Sequence, residues 1–316
     1  MPELHPQMAE ILDLIARSAA GLPKVYEMTP AEARQAQARD FTPFWNADAP
    51  SVKHIFDRTI PGPLGPIPIR VYDPGTPPDA PGIVFIHGGG WVVGNLESHD
   101  GVCRRLANHS GLRLVSVDYR LAPEHKFPRP LEDCVGAIDW LAAHGGELGI
   151  DGRRLTLAGD SAGGNLSLAS AMVLRDRDGP RLKGVALIYG AFGLDLDTPS
   201  YRAYGSTDYY FLSHQEMDWF WNHYLRDAAD RRDPLAVPLE GRLDGLPPLL
   251  VTGAEFDPLL DDSRLLVEQL KALGGPHEWM FWPGVTHACI NMTRMLDPAD
   301  GFLKDVALWL KQRAES

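Results

Sequence analysis

Five short segments of this chain, 83–87, 112–119, 155–159, 185–189 and 248–252, are apolar almost without interruption. A strand with one wet face alternates apolar and polar residues, whereas a strand apolar throughout needs cover on both faces. Helical patterns separate these runs, at 99–110, 130–144, 162–175, 262–273 and 298–311, and a last strand is expected at 277–282. Apolar strands alternating with helices predict an α/β fold, a mostly parallel, doubly wound sheet with helices on both faces.

The flanking regions read differently. Met8, Ile11, Leu12 and Ile15 share one face of a helix over 8–20. Thr29-Pro30-Ala31-Glu32 opens a second helix, expected to reach residue 39. Segments 54–60 and 67–72, split by a Pro- and Gly-rich turn, predict an antiparallel pair. Asp297-Pro298 reads as the start of the last helix, with Asp297 as its N-cap. Residues 191–246 break the alternation and are too long for a loop. Ser213 and Glu216 form a capping box there, opening a helix over 214–225 amid ten aromatic residues.

Charge and cysteines exclude several functions. A net charge of −12 repels nucleic-acid backbones and anionic membranes, and the paired arginines at 153–154 and 231–232 are isolated. No stretch approaches the ~18 apolar residues of a membrane span, and the N-terminus lacks a signal-peptide pattern. A cytoplasmic location is therefore expected. Cys103, Cys134 and Cys289 leave one unpaired in any disulfide scheme, and their spacing fits no metal site.

Gly159-Asp160-Ser161-Ala162-Gly163 follows an apolar strand and opens a helix. The pattern G-x-S-x-G in that setting lifts a serine hydroxyl above the sheet on a sharp turn, where larger flanking side chains would clash. His87-Gly88-Gly89-Gly90 ends an earlier strand, and glycine lets backbone N–H groups approach an oxyanion closely. Gly88, Gly89 and Ala162 are the expected donors. His87 precedes the serine and reads as a structural hydrogen-bonder. Of the four histidines after Ser161, His214 and His223 lie in the insertion helix and His277 begins a strand. His287 sits in a loop after the last strand and is the expected base. Asp257, just past segment 248–252, is the expected acid, with Glu255, Asp261 and Asp262 as competitors; the last two suit a helix N-terminus. Trp91, after the glycine run, and Tyr189, at a strand end, are the expected pocket residues.

Together HGGGW at 87–91, DYRLAPEHKFPRPLEDC at 118–134, GDSAGGNL at 159–166 and EFDPLLDD at 255–262 resemble the hormone-sensitive-lipase-like carboxylesterases of the α/β-hydrolase superfamily. The resemblance covers residue 50 onward. It implies an eight-stranded sheet with a helical cap: N-terminal cap helices at 1–50, core at 51–190, cap insertion at 191–246 and core again at 247–316. It also implies a Ser161–Asp257–His287 triad acting on small ester substrates of short to medium acyl length, with no metal and no cofactor. Members are often homodimers, and the residues leave the oligomeric state open. One departure is His287-Ala288-Cys289, where the family often has His-Gly-Phe; Cys289 reads as a buried, inert thiol. Two rivals stay open. A lipase would prefer long acyl chains, and the plant gibberellin receptors that resemble this family lack the catalytic histidine.

Overall fold

The computed structural model describes residues 3–316. Eight strands form one sheet: β1 (His54–Ile60), β2 (Ile67–Asp73), β3 (Ala80–Ile86), β4 (Arg113–Val117), β5 (Ile150–Asp160), β6 (Val185–Ile188), β7 (Leu249–Phe256) and β8 (His277–Thr286). Their order is β1-β2-β4-β3-β5-β6-β7-β8. β2 pairs antiparallel with both neighbours, and every other pairing is parallel, so β2 alone runs against the rest.

Ten α-helices accompany the sheet: α1 (Pro6–Ser18), α2 (Pro30–Ala36), α3 (Thr42–Trp45), α4 (Asp100–Ser110), α5 (Arg129–His144), α6 (Ala162–Asp176), α7 (Pro199–Tyr204), α8 (His214–Tyr224), α9 (Leu260–Leu273) and α10 (Asp297–Ala314). Side chains on β3 alternate between two cores. Val84 and Ile86 join Leu131, Leu166 and Leu266 of α5, α6 and α9. Ile83 and Phe85 join Val102 and Leu303 of α4 and α10. Burial on both faces is what the uninterrupted apolar strands require. α1 joins the second core through Met8, Ile11 and Leu12, and His5 N–H bonds the Gly284 carbonyl (2.8 Å).

Three expectations need adjusting. The second helix stops at Ala36 and widens into a π-turn at Gln37–Phe41 before α3, whose second residue is Pro43. Proline lacks an N–H and crowds the preceding turn, so a regular helix does not run through it. Asp297 is the first residue of α10 rather than its N-cap, which is Leu296. Finally, β7 and β8 extend to Phe256 and Thr286. Asp257 and His287 are therefore each the first residue past a strand.

After β4 the chain passes back across β3 to β5, so the strand order reverses beside β3. Ligands of open α/β sheets bind outside the carboxyl ends of the strands at such a switch point. The glycine run follows β3 there, and Ser161 follows β5.

Candidate active site

Ser161 stands between β5 and α6 with φ 54° and ψ −121°, a strained conformation for a residue with a Cβ. Its N–H bonds the Ile188 carbonyl (2.8 Å), extending the β5–β6 ladder into the turn. Close backbone approach explains both flanking glycines. A Cβ on Gly159 would stand 2.3 Å from the Gly163 carbonyl oxygen, and one on Gly163 would stand 2.0 Å from that of Ile86.

Past β8, His287 is buried with its Nε2 2.9 Å from Ser161 Oγ and its Nδ1 2.7 Å from Asp257 Oδ2. A carboxylate only accepts, so Nδ1 carries the proton that it donates to Asp257. The neutral ring then presents a lone pair at Nε2 to the Ser161 hydroxyl. Asp257 is fully buried, and its Oδ1 accepts the Leu259 N–H (2.8 Å), which fixes the carboxylate plane. The competing acids have other partners. Glu255 accepts the Gly284 N–H, Asp261 the Ser200 N–H, and Asp262 the Phe192 and Gly193 N–H groups (2.8 Å each).

The glycine loop corrects one expected donor. Gly88 N–H is bonded to Asp160 Oδ1 at 2.8 Å in a buried position and is not free for an oxyanion. Gly89, Gly90 and Ala162 donate to no protein atom among the described residues. Two carbonyls on the loop are held. His87 Nδ1 lies 2.8 Å from the Gly88 oxygen, and the Val92 and Val93 N–H groups bond the Gly89 oxygen (3.1 and 2.9 Å). In a trans peptide the N–H points opposite to the C=O. Gly89 N–H therefore points away from the His87 ring, and Gly90 N–H away from the turn.

Burial, reinforced by His99, pushes His87 down to about 3, so its ring is neutral and Nδ1 is the donor. Tyr119 stacks on that ring at 4.3 Å and donates to the His87 carbonyl (2.9 Å). Burial raises the Asp160 carboxyl, but His99, the Gly88 N–H and His87 outweigh it and hold it below the usual carboxylate range. Among the described residues no group of three or more His, Cys, Asp or Glu is placed to hold a metal ion.

Residues 83–291 match the family model of the alpha/beta hydrolase fold. The chain belongs to the α/β-hydrolase family. It is 37% identical over 278 residues to the acetyl esterase of Salmonella choleraesuis, covering 86% of this chain and 84% of that one. The hyperthermophilic esterase of the archaeon Pyrobaculum calidifontis shares its structure with a TM-score of 0.94 at 38% identity, over 100% of both chains. An ester hydrolase from the metagenome of Lake Arreo, determined with a derivative of bipyridine phosphonate, shares it with a TM-score of 0.93 at 33% identity, over 99% of this chain and 100% of that one. Likeness at this level along the whole chain makes this protein a carboxylic ester hydrolase.

In this esterase the two expected pocket residues part ways. Tyr189 lies against His287, the two rings 4.7 Å apart, with its hydroxyl buried. Trp91 is fully enclosed, stacked on Tyr224 at 4.3 Å and tilted against Trp221 at 4.3 Å. Those contacts, about 0.5–1.5 kcal/mol each beyond burial, bind segment 191–246 to the body and leave Trp91 no free face. Phe220 likewise fills the space beside Gly90, where a Cβ would stand 2.1 Å from its ring.

Several residues that shape the esterase site escape a reading by motif. Asp160 was visible inside the serine motif, but its partner Gly88 lies 72 residues earlier. Asp262, expected as a helix-start acid, is buried and ties the root of the insertion to α9. Burial, against the pull of those two N–H groups, raises its carboxyl to about 7. Burial also pushes the Cys289 thiol well up, which makes it inert. No helix among the described residues is long and apolar enough to cross a membrane.

Proposed function

We propose that this esterase hydrolyses short to medium acyl esters through a covalent acyl-enzyme. The unbroken chain from Ser161 Oγ to His287 Nε2 (2.9 Å) and from His287 Nδ1 to Asp257 (2.7 Å) carries the reading. His287 takes the Ser161 proton as Oγ bonds the ester carbonyl carbon. The carbonyl electron pair moves to oxygen, where the Gly89, Gly90 and Ala162 N–H groups receive it, Ala162 adding the N-terminal field of α6. As the C–O bond to the alcohol breaks, His287 returns the proton to that oxygen. Water then repeats the sequence on the acyl-serine. Asp257 fixes the tautomer and stabilises the imidazolium without taking the proton. The name of the Salmonella relative supports the short end of the acyl range. A cytoplasmic location accords with three free, buried cysteines.

Ser161→Ala tests the proposal with p-nitrophenyl acetate and butyrate. The expected loss in kcat is about 10⁴-fold or more. Retained turnover refutes Ser161 as nucleophile. A rate maximum at long acyl chains refutes the substrate class and favours a lipase.

A further inference from the structure

We infer that the N-terminal segment aims the oxyanion donors: Arg34 and Gln37 are positioning residues for the Gly90 N–H. This rests on the reading that Gly89, Gly90 and Ala162 receive the oxyanion.

The loop after β3 has little stiffness of its own. Gly89, Gly90, Trp91 and Gly94 all have positive φ (115°, 56°, 61° and 91°), and glycine has other conformations open to it. Packing holds Trp91, Val92 and Val93, but the end of the loop at Gly94 and Asn95 borders, with Arg34 and Gln37, a cavity of about 340 Å³. Hydrogen bonds from the cap do brace it. Arg34 Nε donates to the Val92 carbonyl (2.7 Å), and Arg34 Nη2 to the Ala122 carbonyl (2.7 Å). Gln37 Oε1 accepts the Gly94 N–H (2.9 Å). Arg34 is itself clamped by a two-pronged pair with Glu124 (2.8 and 2.6 Å).

Peptide planarity turns these bonds into a relay. Holding the Val92 carbonyl fixes the plane that contains the Val93 N–H. That N–H bonds the Gly89 carbonyl (2.9 Å), whose own plane contains the Gly90 N–H. Two rigid planes and one hydrogen bond thus connect the guanidinium to the donor. Gln37 fixes the next plane, Val93–Gly94, and prevents compensating rotation. Ala122 N–H bonds the Trp91 carbonyl (2.9 Å), so Arg34 also locks the loop to segment 119–125. The hole is complete only when the segment from α2 into the π-turn is seated.

The test compares Gln37→Leu, Gln37→Glu, Arg34→Ala and Glu124→Gln by steady-state kinetics on p-nitrophenyl butyrate. The rate of Ser161 phosphorylation by diethyl p-nitrophenyl phosphate and the Tm are followed in parallel. Gln37→Leu and Arg34→Ala are expected to lower kcat about ten- to hundredfold, less than outright loss of a donor, with KM within about threefold. Phosphorylation slows by a similar factor, since the P=O oxygen enters the same hole. Gln37→Glu keeps the acceptor and Glu124→Gln keeps the Val92 bond, so both stay within about threefold of wild type. The Gln37 pair carries the test if Arg34→Ala does not fold. Unchanged kcat in Gln37→Leu, equal losses in Gln37→Leu and Gln37→Glu, or a change in KM alone overturns the inference. Replacing residue 162 by L-lactic acid, an amide-to-ester exchange, deletes the Ala162 N–H without adding a ring beside the strained Ser161. If it lowers kcat while the cap variants do not, only the inference falls; if it too is silent, the oxyanion reading falls with it.

Discussion

Asp257→Asn separates orientation from folding at the centre of the site. Asp257 holds two hydrogen bonds, from His287 Nδ1 (2.7 Å) and from the Leu259 N–H (2.8 Å). In the variant the amide oxygen still accepts from Leu259, and the amide NH₂ takes the place of Oδ2. An NH₂ group donates, so His287 must present a lone pair at Nδ1 and carry its proton on Nε2. The base then faces Ser161 with a hydrogen where its lone pair should be. A wrong tautomer with intact geometry costs about 10⁴ in kcat in the serine-protease case, about 5 kcal/mol of barrier. The fold loses no bond, so Tm should move by no more than about 2 °C. Stopped-flow acylation with p-nitrophenyl acetate and a thermal melt decide the matter. A kcat loss below tenfold refutes Asp257 as the orienting acid. A large fall in Tm with a matching fall in soluble enzyme refutes the claim that the effect is one of tautomer.

Other consequences follow from single contacts. Gly163→Ala puts a Cβ 2.0 Å from the Ile86 oxygen and 2.6 Å from that of His87, both backbone, so stability should fall by more than about 3 kcal/mol, read as a collapse of soluble expression or of Tm. Ala288 has φ 61°, which costs a residue with a Cβ about 1–2 kcal/mol. Ala288→Gly should raise stability by about 0.5–1 kcal/mol after the added freedom of the unfolded chain, read as a small rise in urea midpoint. Asp262 has its folded pKa raised to about 7, above the unfolded value near 3.8. The folded state therefore holds the proton more tightly, and its contribution is whole below about pH 4 and lost as pH rises through 7. Asp262→Asn should remove that slope in urea melts between pH 4 and 8; an unchanged slope assigns it to other groups.

The parallel sheet was legible because burial on both faces writes itself as uninterrupted apolar strands, and β3 feeds two cores with alternate residues. Ser161, His287 and Asp257 were legible because each follows a strand whose end a sequence pattern locates. The donor set was less so. Gly88 looks like its neighbours in sequence, and only the Asp160 carboxylate, brought alongside by β3–β5 pairing, distinguishes it. Trp91 likewise follows the glycines as a pocket residue would, but Tyr224, 133 positions later, covers it. Arg34 and Gln37 carried no motif, because the loop groups they hold, the Val92 carbonyl and the Gly94 N–H, are backbone groups with no residue identity to recognise.

The proposed base follows one of the two edge strands of the sheet. Among the described residues β8 pairs with β7 alone, and His287 is the next residue after it. Hydrolysis therefore reports the docking of the chain's final strand. During refolding, circular dichroism should recover ahead of turnover. On heating, catalysis should fail while most of the sheet is still intact, so the enzyme's working ceiling is set at one margin of the sheet rather than by its centre.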